Sequence, residues 1–265
     1  MGDLPLPAEL EHYATDIKAA GKNFVALVTF AEPDKKGKKA QGKPLGPEAP
    51  MGGTRTLSVA DIPADASWRQ WGEEVNERHN GWMDGDCFAF QLNLGDIPED
   101  FRPYHVPKQG VVWVFTNLEN SWETTVHFDA RPANEIPWLP RPTRREYIGQ
   151  YETAMRTVFV PKAMWATCGP SYPDFSAGVV ESPAWLDWTD HMHLSHWLNM
   201  QPFSFGAGPG QLQVGGWFWP VQGDFSERNK TIVAGMYQMH FGDSGSIELH
   251  YDSDASRWFA IVESH

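Results

Sequence analysis

Imidazole and carboxylate side chains are concentrated in one stretch of ten residues near the middle of the chain. They are Asp187, Asp190, His191, His193 and His196. Both groups bind zinc in proteins. If the stretch is helical, His193 and His196 share a face, whereas His191 points about 200° away from His193. Only two of the three imidazoles then converge, and the HExxH pattern of zinc proteases is absent. We therefore predict no metal and no cofactor, with a metal site at these histidines as the alternative.

Other catalytic patterns in the chain are incomplete. Asp243 and His250 could form a general-base pair, but the sequence places no nucleophile nearby. Neither Ser171 nor Ser244 stands in the GxSxG elbow of serine hydrolases. The glycine-rich segment 206–210 lacks the Lys-Ser or Lys-Thr that follows in a phosphate-binding loop. We therefore predict a protein that is not an enzyme. The alternative is a small-molecule- or metal-binding enzyme that uses the central histidine and aspartate cluster.

The charge of the chain restricts its partners. The formal net charge of the 265 residues is −13, and residues 51–100 alone carry a net charge of −7. Such a field repels phosphate backbones and anionic membranes, and it attracts a basic protein. We therefore expect a protein partner and no direct binding of nucleic acid or membrane.

Acidic side chains and large aromatic rings occur together in the region that we predict to bind this partner. Tryptophan is enriched at interface hot spots, and negative charge complements a basic surface. The alternatives are a solvated face for the acids and core burial for the tryptophans. The predicted partner-binding residues are Glu73, Glu74, Glu77, Trp82, Asp84, Asp86, Trp217 and Trp219.

The cellular location is predicted from the start of the chain and from its cysteines. The opening sequence MGDLPLPAELEHY lacks the uninterrupted apolar run of a signal peptide. The longest apolar runs fall far short of the ~20 residues that span a bilayer. Only Cys87 and Cys168 are present, without CxxC spacing. We therefore expect a cytoplasmic protein with two reduced thiols.

Strands outnumber helices in the predicted secondary structure. Helical spacing after Pro7, with Gly21 as a stop, predicts an opening helix. A capping box at 143–146 followed by 3.6-residue spacing predicts a helix to Val158, and Ser182 begins a third helix. Lysines and prolines in 32–51 predict a solvated loop. Alternating or β-rich runs predict strands at 24–30, 87–94, 111–116, 124–129, 231–241, 246–251 and 257–262.

The order of elements in the first half of the chain is repeated near its end. Each copy has a glycine pair, a strand that contains glutamine, a Gly-Asp turn and a glycine before the next strand. The residues of this motif are Gly52, Gly53, Gln91 and Gly110 in the first copy and Gly215, Gly216, Gln238, Asp243 and Gly245 in the second. The glycine pairs suit positive φ or close backbone approach, and the glutamines suit hydrogen bonds to the main chain. This repeat indicates a duplication.

These patterns predict an α+β fold with a pseudo-duplicated, mostly antiparallel β-sheet core and a few flanking helices. We expect one domain over residues 1–265. Its two β-rich halves, about 1–135 and 200–265, are joined by a helical middle region at about 140–200.

The residues of the repeat also carry a family resemblance. The segment 88–94 (FAFQLNL), followed by Ile97-Pro98, Val106-Pro107 and Gly110, resembles the core pattern of the YwqG-like family of bacterial proteins of unknown function. The segment 241–245 (FGDSG) resembles the second block of that family, in which Trp usually stands at the position of Phe241. The resemblance covers about residues 45–130 and 210–263.

The resemblance carries an expectation about function as well as fold. It implies a pseudo-duplicated sheet and transfers no catalytic residues. The family tends to place proline soon after each glycine pair, whereas here the segments 54–56 and 217–219 intervene. Some relatives look like companions of bacterial toxins. We therefore predict an immunity protein that neutralises a basic toxin, such as a nuclease effector, by covering its surface.

Overall fold

The computed structural model describes the chain in thirteen segments. These are residues 8–28, 30–31, 44–45, 48–56, 59–77, 86–117, 123–141, 146–148, 156–158, 164–171, 212–216, 231–239 and 245–263. Their regular structure is mostly antiparallel strand with a few short helices, which confirms the predicted α+β class. None of the helices in these segments is long and apolar enough to cross a membrane.

Two α-helices lie in the first third of the chain. A 3-10 turn at Ala8–Tyr13 leads into α1 (Ala14–Ala20), and Gly21 follows, as the sequence predicts. Leu10 and Ile17 are buried because they recur on one side of this helical segment. The second helix is α2 (Arg69–Glu77).

The seven predicted strands are present, with small shifts at their ends, among the fourteen strands of the described segments. In chain order they are β1 (Lys22–Val28), β2 (Phe30–Ala31), β3 (Pro44–Leu45), β4 (Arg55–Thr56), β5 (Asp86–Asn93), β6 (Val111–Asn117), β7 (Glu123–Asp129), β8 (Glu146–Ile148), β9 (Arg156–Val158), β10 (Trp165–Ser171), β11 (Leu212–Gly215), β12 (Ile232–Met239), β13 (Gly245–Asp252) and β14 (Arg257–Glu263).

Most of the strands form two antiparallel sheets. One has the order β4-β5-β6-β7, and the other has the order β10-β1-β11-β12-β13-β14. Each sheet contains a meander of one short strand and three longer ones: β4 to β7 in the first and β11 to β14 in the second. A glycine pair lies beside the short strand in both meanders. The predicted pseudo-duplication is therefore visible in the topology.

β6 is buried on both of its faces because the first sheet lies between two apolar layers. Val112 and Val114 face a core that also contains apolar side chains of β11, β12 and β13. Val111, Trp113 and Phe115 face the opposite side, where tryptophans of the α2 segment pack. At the sheet edges, the Thr124 hydroxyl donates a 2.7 Å hydrogen bond to the carbonyl oxygen of Ala260, which connects β7 with β14.

The helix predicted over 143–158 is wrong. Its described residues form β8 and β9, which pair antiparallel with Tyr147 opposite Thr157 and Ile148 opposite Arg156. Aromatic and β-branched side chains favour such cross-strand pairs, which here outweigh the helical spacing of the sequence. β10 also lies in the middle region and joins the second sheet, so the described regular structure of that region is strand rather than helix.

The structure describes the predicted loop 32–51 only in part and does not describe the helix predicted from Ser182. Within the loop, β3 pairs with β2, so the predicted loop contains a short strand. Residues 32–43 and the helix predicted from Ser182 lie outside the described residues.

Candidate functional site

The first glycine pair lies in a tightly packed turn before β4. Gly52 has a φ of +74°, a conformation that glycine adopts without steric cost. A β-carbon at Gly52 would lie 2.5 Å from Cζ2 of Trp138 and 2.8 Å from Cβ of Ala133. Gly110, Gly215 and Gly216 also have positive φ. The positive φ predicted for the glycine pairs is therefore confirmed at Gly52, Gly215 and Gly216, and Gly110 adopts it as well.

Gln91 makes the main-chain hydrogen bonds that its position in an apolar strand predicts. Its Nε2 donates to the carbonyl oxygen of Gly53 at 3.0 Å, and its Oε1 accepts from the Asp61 amide at 3.1 Å. The side chain is fully buried. Gln91 thus holds the glycine turn and the Asp61 segment against β5. The side chain of Gln238, its counterpart in the second half, lies outside the described part of the chain.

Asp61 is the centre of a buried ionic cluster next to this turn. Its carboxylate accepts from the Gly52 amide at 2.5 Å, from Arg55, and from Nε of Arg141 at 2.7 Å. Trp113 Nε1 donates to the Asp61 carbonyl oxygen at 2.9 Å. Desolvation and the nearby positive charge of Arg141 both lower the pKa of the Arg55 guanidinium well below its ordinary value.

Every side-chain nitrogen of Arg55 and Arg141 donates a hydrogen bond in this cluster, so the role of the cluster is structural. Arg141 also donates to Glu48 at 2.9 Å and to the carbonyl oxygens of Ala49 and Pro50 at 2.6 and 2.8 Å. With these donors engaged, the cluster fastens the chain around 48–55 to the segment at Arg141 and has no group directed at a ligand. The sequence analysis missed it because Asp61 and Arg141 are 80 residues apart.

Two predicted partner-binding carboxylates lie on α2 at its partly exposed side. Glu73 accepts from Arg69 Nε at 3.3 Å, and Glu74 accepts from Gln70 Nε2 at 3.4 Å. Both pairs have i, i+4 spacing, which orders the carboxylates without burying them. Glu77 is the last residue of the helix, and its side chain is not described.

Asp86, the third predicted carboxylate that the structure describes, has a structural role. Trp71 Nε1 donates to its Oδ2 at 3.1 Å, and Asn117 Nδ2 donates to its Oδ1 at 3.0 Å. Both oxygens therefore link α2 to the start of β5 and the end of β6. Because both carboxylate oxygens of Asp86 already accept hydrogen bonds within the chain, the expectation that Asp86 binds a partner does not fit the structure.

The remaining predicted site residues lie outside the described segments. They are Trp82, Asp84, Trp217 and Trp219 of the partner-binding set, Asp243 of the repeat, and Asp187, Asp190, His191, His193 and His196 of the alternative metal site. Within the described segments, no group of three or more His, Cys, Asp or Glu side chains could hold a metal ion.

Aromatic rings fix α2 on the first sheet. Trp68 stacks on His127 of β7 with centroids 4.3 Å apart and planes 6° apart, and it meets Trp113 and Phe115 edge to face. Burial lowers the pKa of His127 to about 4. The neutral imidazole therefore packs as an aromatic ring, and the carboxylates of α2 are held on a rigid base.

A fully exposed tyrosine lies on an acidic loop that the sequence analysis did not single out. We call residues 94–108 the acidic loop; Tyr104 is 99% exposed there, and Glu99 and Asp100 also face solvent. Arg102 Nη2 donates to the carbonyl oxygens of Leu94 and Ile97, each at 2.9 Å. The Val106 amide donates a 3.0 Å hydrogen bond to the carbonyl oxygen of Pro103, which closes the turn around Tyr104. The Tyr104 ring therefore lies on an ordered turn. In the sequence, a tyrosine between prolines in an acidic stretch could have indicated this exposed ring.

Comparisons with protein-family models and with curated protein sequences gave no match. The resemblance to the YwqG-like family accordingly stays a prediction from the residue pattern.

Proposed function

We propose that this chain is a cytoplasmic, non-enzymatic binding protein that neutralises a basic partner protein by covering its surface. The partner we propose is a bacterial toxin such as a nuclease effector, which makes the chain an immunity protein. The observation that supports this proposal best is the excess of negative charge together with the acidic side chains on two ordered surface elements.

Three arginines are turned toward the interior and bind main-chain oxygens. Arg55 and Arg141 do so around the glycine turn, and Arg102 does so in the acidic loop. Arg55 and Arg102 therefore contribute little to balancing carboxylates at the surface, whereas Arg141 also pairs with the exposed Glu48. With a net charge of −13, the chain therefore presents excess negative charge to solvent.

Two ordered acidic elements offer that charge to a partner. Glu73 and Glu74 lie on α2, which its tryptophans fix to the sheet. Asp100 and Glu99 lie in the acidic loop, where Lys108 Nζ donates to Glu99 at 2.9 Å and orders its carboxylate at the surface. Negative charge accelerates the encounter with a basic protein. Tyr104 adds a large ring whose turn is already ordered, so burying it costs less conformational entropy and slows dissociation.

An immunity protein is expected to be encoded beside its toxin, so the proposal is tested with the protein encoded by the neighbouring gene. The purified chain is immobilised, and association and dissociation rates are measured at low and high salt. We expect binding whose association rate falls as salt rises, and we expect co-expression of the chain to relieve growth inhibition by the neighbouring protein. Absence of binding together with absence of relief contradicts the proposal.

Charge-reversed variants locate the surface. The test variant carries lysine at Glu73, Glu74, Glu99 and Asp100. The control carries lysine at Glu11, Glu123, Glu135 and Asp254, which are exposed on other elements and change the net charge equally. We expect the test variant to lose about tenfold or more in association rate relative to the control. Equal losses in both variants contradict the assignment of this surface.

A further inference from the structure

The polar face of β13 is buried, although its sequence is typical of a strand with one solvated face. Ile247 and Leu249 point into the main core. Ser246, Glu248 and His250 alternate with them and therefore lie on the opposite face. All three polar side chains are fully buried.

Two polar atoms on this face lack a hydrogen bond. Within the described part of the chain, no group bonds to Glu248 Oε1 or to Ser246 Oγ. The residue opposite Glu248 on β12 is Gly235, which has no side chain to cover the carboxylate. A buried carboxylate is strongly unfavourable unless it is fully paired or binds a metal. This face therefore presents a buried carboxyl oxygen that is available to a ligand.

His250 is held in an orientation that suits a metal ligand. Its Nδ1 lies 3.0 Å from Thr231 Oγ1, and its ring stacks on Phe259 with centroids 4.9 Å apart and planes 11° apart. Its Nε2 lies 3.3 Å from Glu248 Oε2. That separation is long for a charge-assisted hydrogen bond. It matches the separation of about 3.3 Å between two ligands of a tetrahedral zinc ion with bonds of about 2.0–2.1 Å.

We propose that Glu248 and His250 bind a divalent transition-metal ion of the zinc class. Glu248 supplies the negative charge and an oxygen ligand, and His250 supplies Nε2. Thr231 fixes the imidazole by accepting from Nδ1–H, which leaves the lone pair of Nε2 for the metal. Ser246 Oγ is the next polar atom along the same face. This site uses none of the residues of the central histidine cluster, and the proposal does not depend on the binding of a partner.

The test is a titration of the intact, metal-stripped protein with Zn²⁺, followed by calorimetry, and with Co²⁺, followed by its visible absorption. We expect saturable binding at the β13 site and a higher melting temperature with zinc. Glu248→Gln keeps the shape of the side chain but removes its charge, and we expect it to weaken zinc binding at least about tenfold. The control is His127→Gln, which removes a histidine of β7 and should leave zinc binding unchanged.

A second variant keeps the test decisive if Glu248→Gln does not fold, which circular dichroism reports. Thr231→Val removes only the hydroxyl that orients His250, and we expect zinc binding about 10–100-fold weaker. Wild-type protein without saturable zinc binding overturns the proposal. So does zinc binding that a folded Glu248→Gln or Thr231→Val variant retains at full strength. Zinc binding that His193→Ala abolishes and Glu248→Gln retains overturns it in favour of the central cluster.

Discussion

Gly52→Ala is expected to destabilise the fold strongly, because the turn at this position has neither the backbone freedom nor the space for a β-carbon. The φ of +74° costs a non-glycine residue about 1–2 kcal/mol. The new methyl group would also lie 2.5 Å from Trp138 and 2.8 Å from Ala133, and shifting such packed atoms costs about 1–3 kcal/mol. We therefore expect the free energy of unfolding to fall by about 2–5 kcal/mol.

The assay is urea denaturation followed by tryptophan fluorescence, with Gly95→Ala as the control. Gly95 is exposed, and the nearest atoms to a β-carbon there belong to the side chain of Asn93, with Oδ1 at 3.2 Å. That control should stay within about 0.5 kcal/mol of the wild type. If Gly52→Ala is also within about 0.5 kcal/mol of the wild type, with an unchanged dependence on urea, the argument from φ and packing is refuted.

Three further predictions follow from the buried groups. Asp61→Asn leaves two arginines poorly compensated and should lower the free energy of unfolding by about 3–5 kcal/mol in urea denaturation, whereas a loss below about 1 kcal/mol would contradict the cluster's role. The native pKa of His127, about 4, lies below its unfolded value, so the unfolded state binds more protons between these two pH values. The free energy of unfolding should therefore fall as pH drops from about 6.5 to 4, and it should fall less in His127→Gln over that range. Burial and the nearby charge of Asp86 raise the pKa of Cys87 to about 12, so in a Cys168→Ser background its alkylation at pH 8 should be slow until urea unfolds the chain, and rapid native alkylation would contradict this.

The sequence predicts the meanders well because their information is local. Alternating apolar residues and turn residues define β5 to β7 and β12 to β14, and the glycine pairs indicate the positive φ at Gly52, Gly215 and Gly216. The same local reasoning fails at 143–158. There, helical spacing competes with pairing between two strands, and only the partner strand decides between them.

The candidate sites depend on contacts between distant parts of the chain, so the sequence predicts them less well. Glu73 and Glu74 are found from composition, whereas the structural role of Asp86 depends on Trp71 and Asn117, which belong to other elements. The alternation in β13 predicts which side chains share a face. It does not reveal that the polar face is buried, because burial is decided by the segments that cover it.

The position of β6 between two apolar layers makes it a reporter of the whole first sheet. Its main chain is hydrogen-bonded to β5 on one side and to β7 on the other, and its side chains are locked by the α2 layer and by the shared core. Opening its hydrogen bonds requires both layers to separate. The amide protons of β6 should therefore exchange with solvent only through global unfolding, which makes their exchange rate a measure of the stability of the entire molecule.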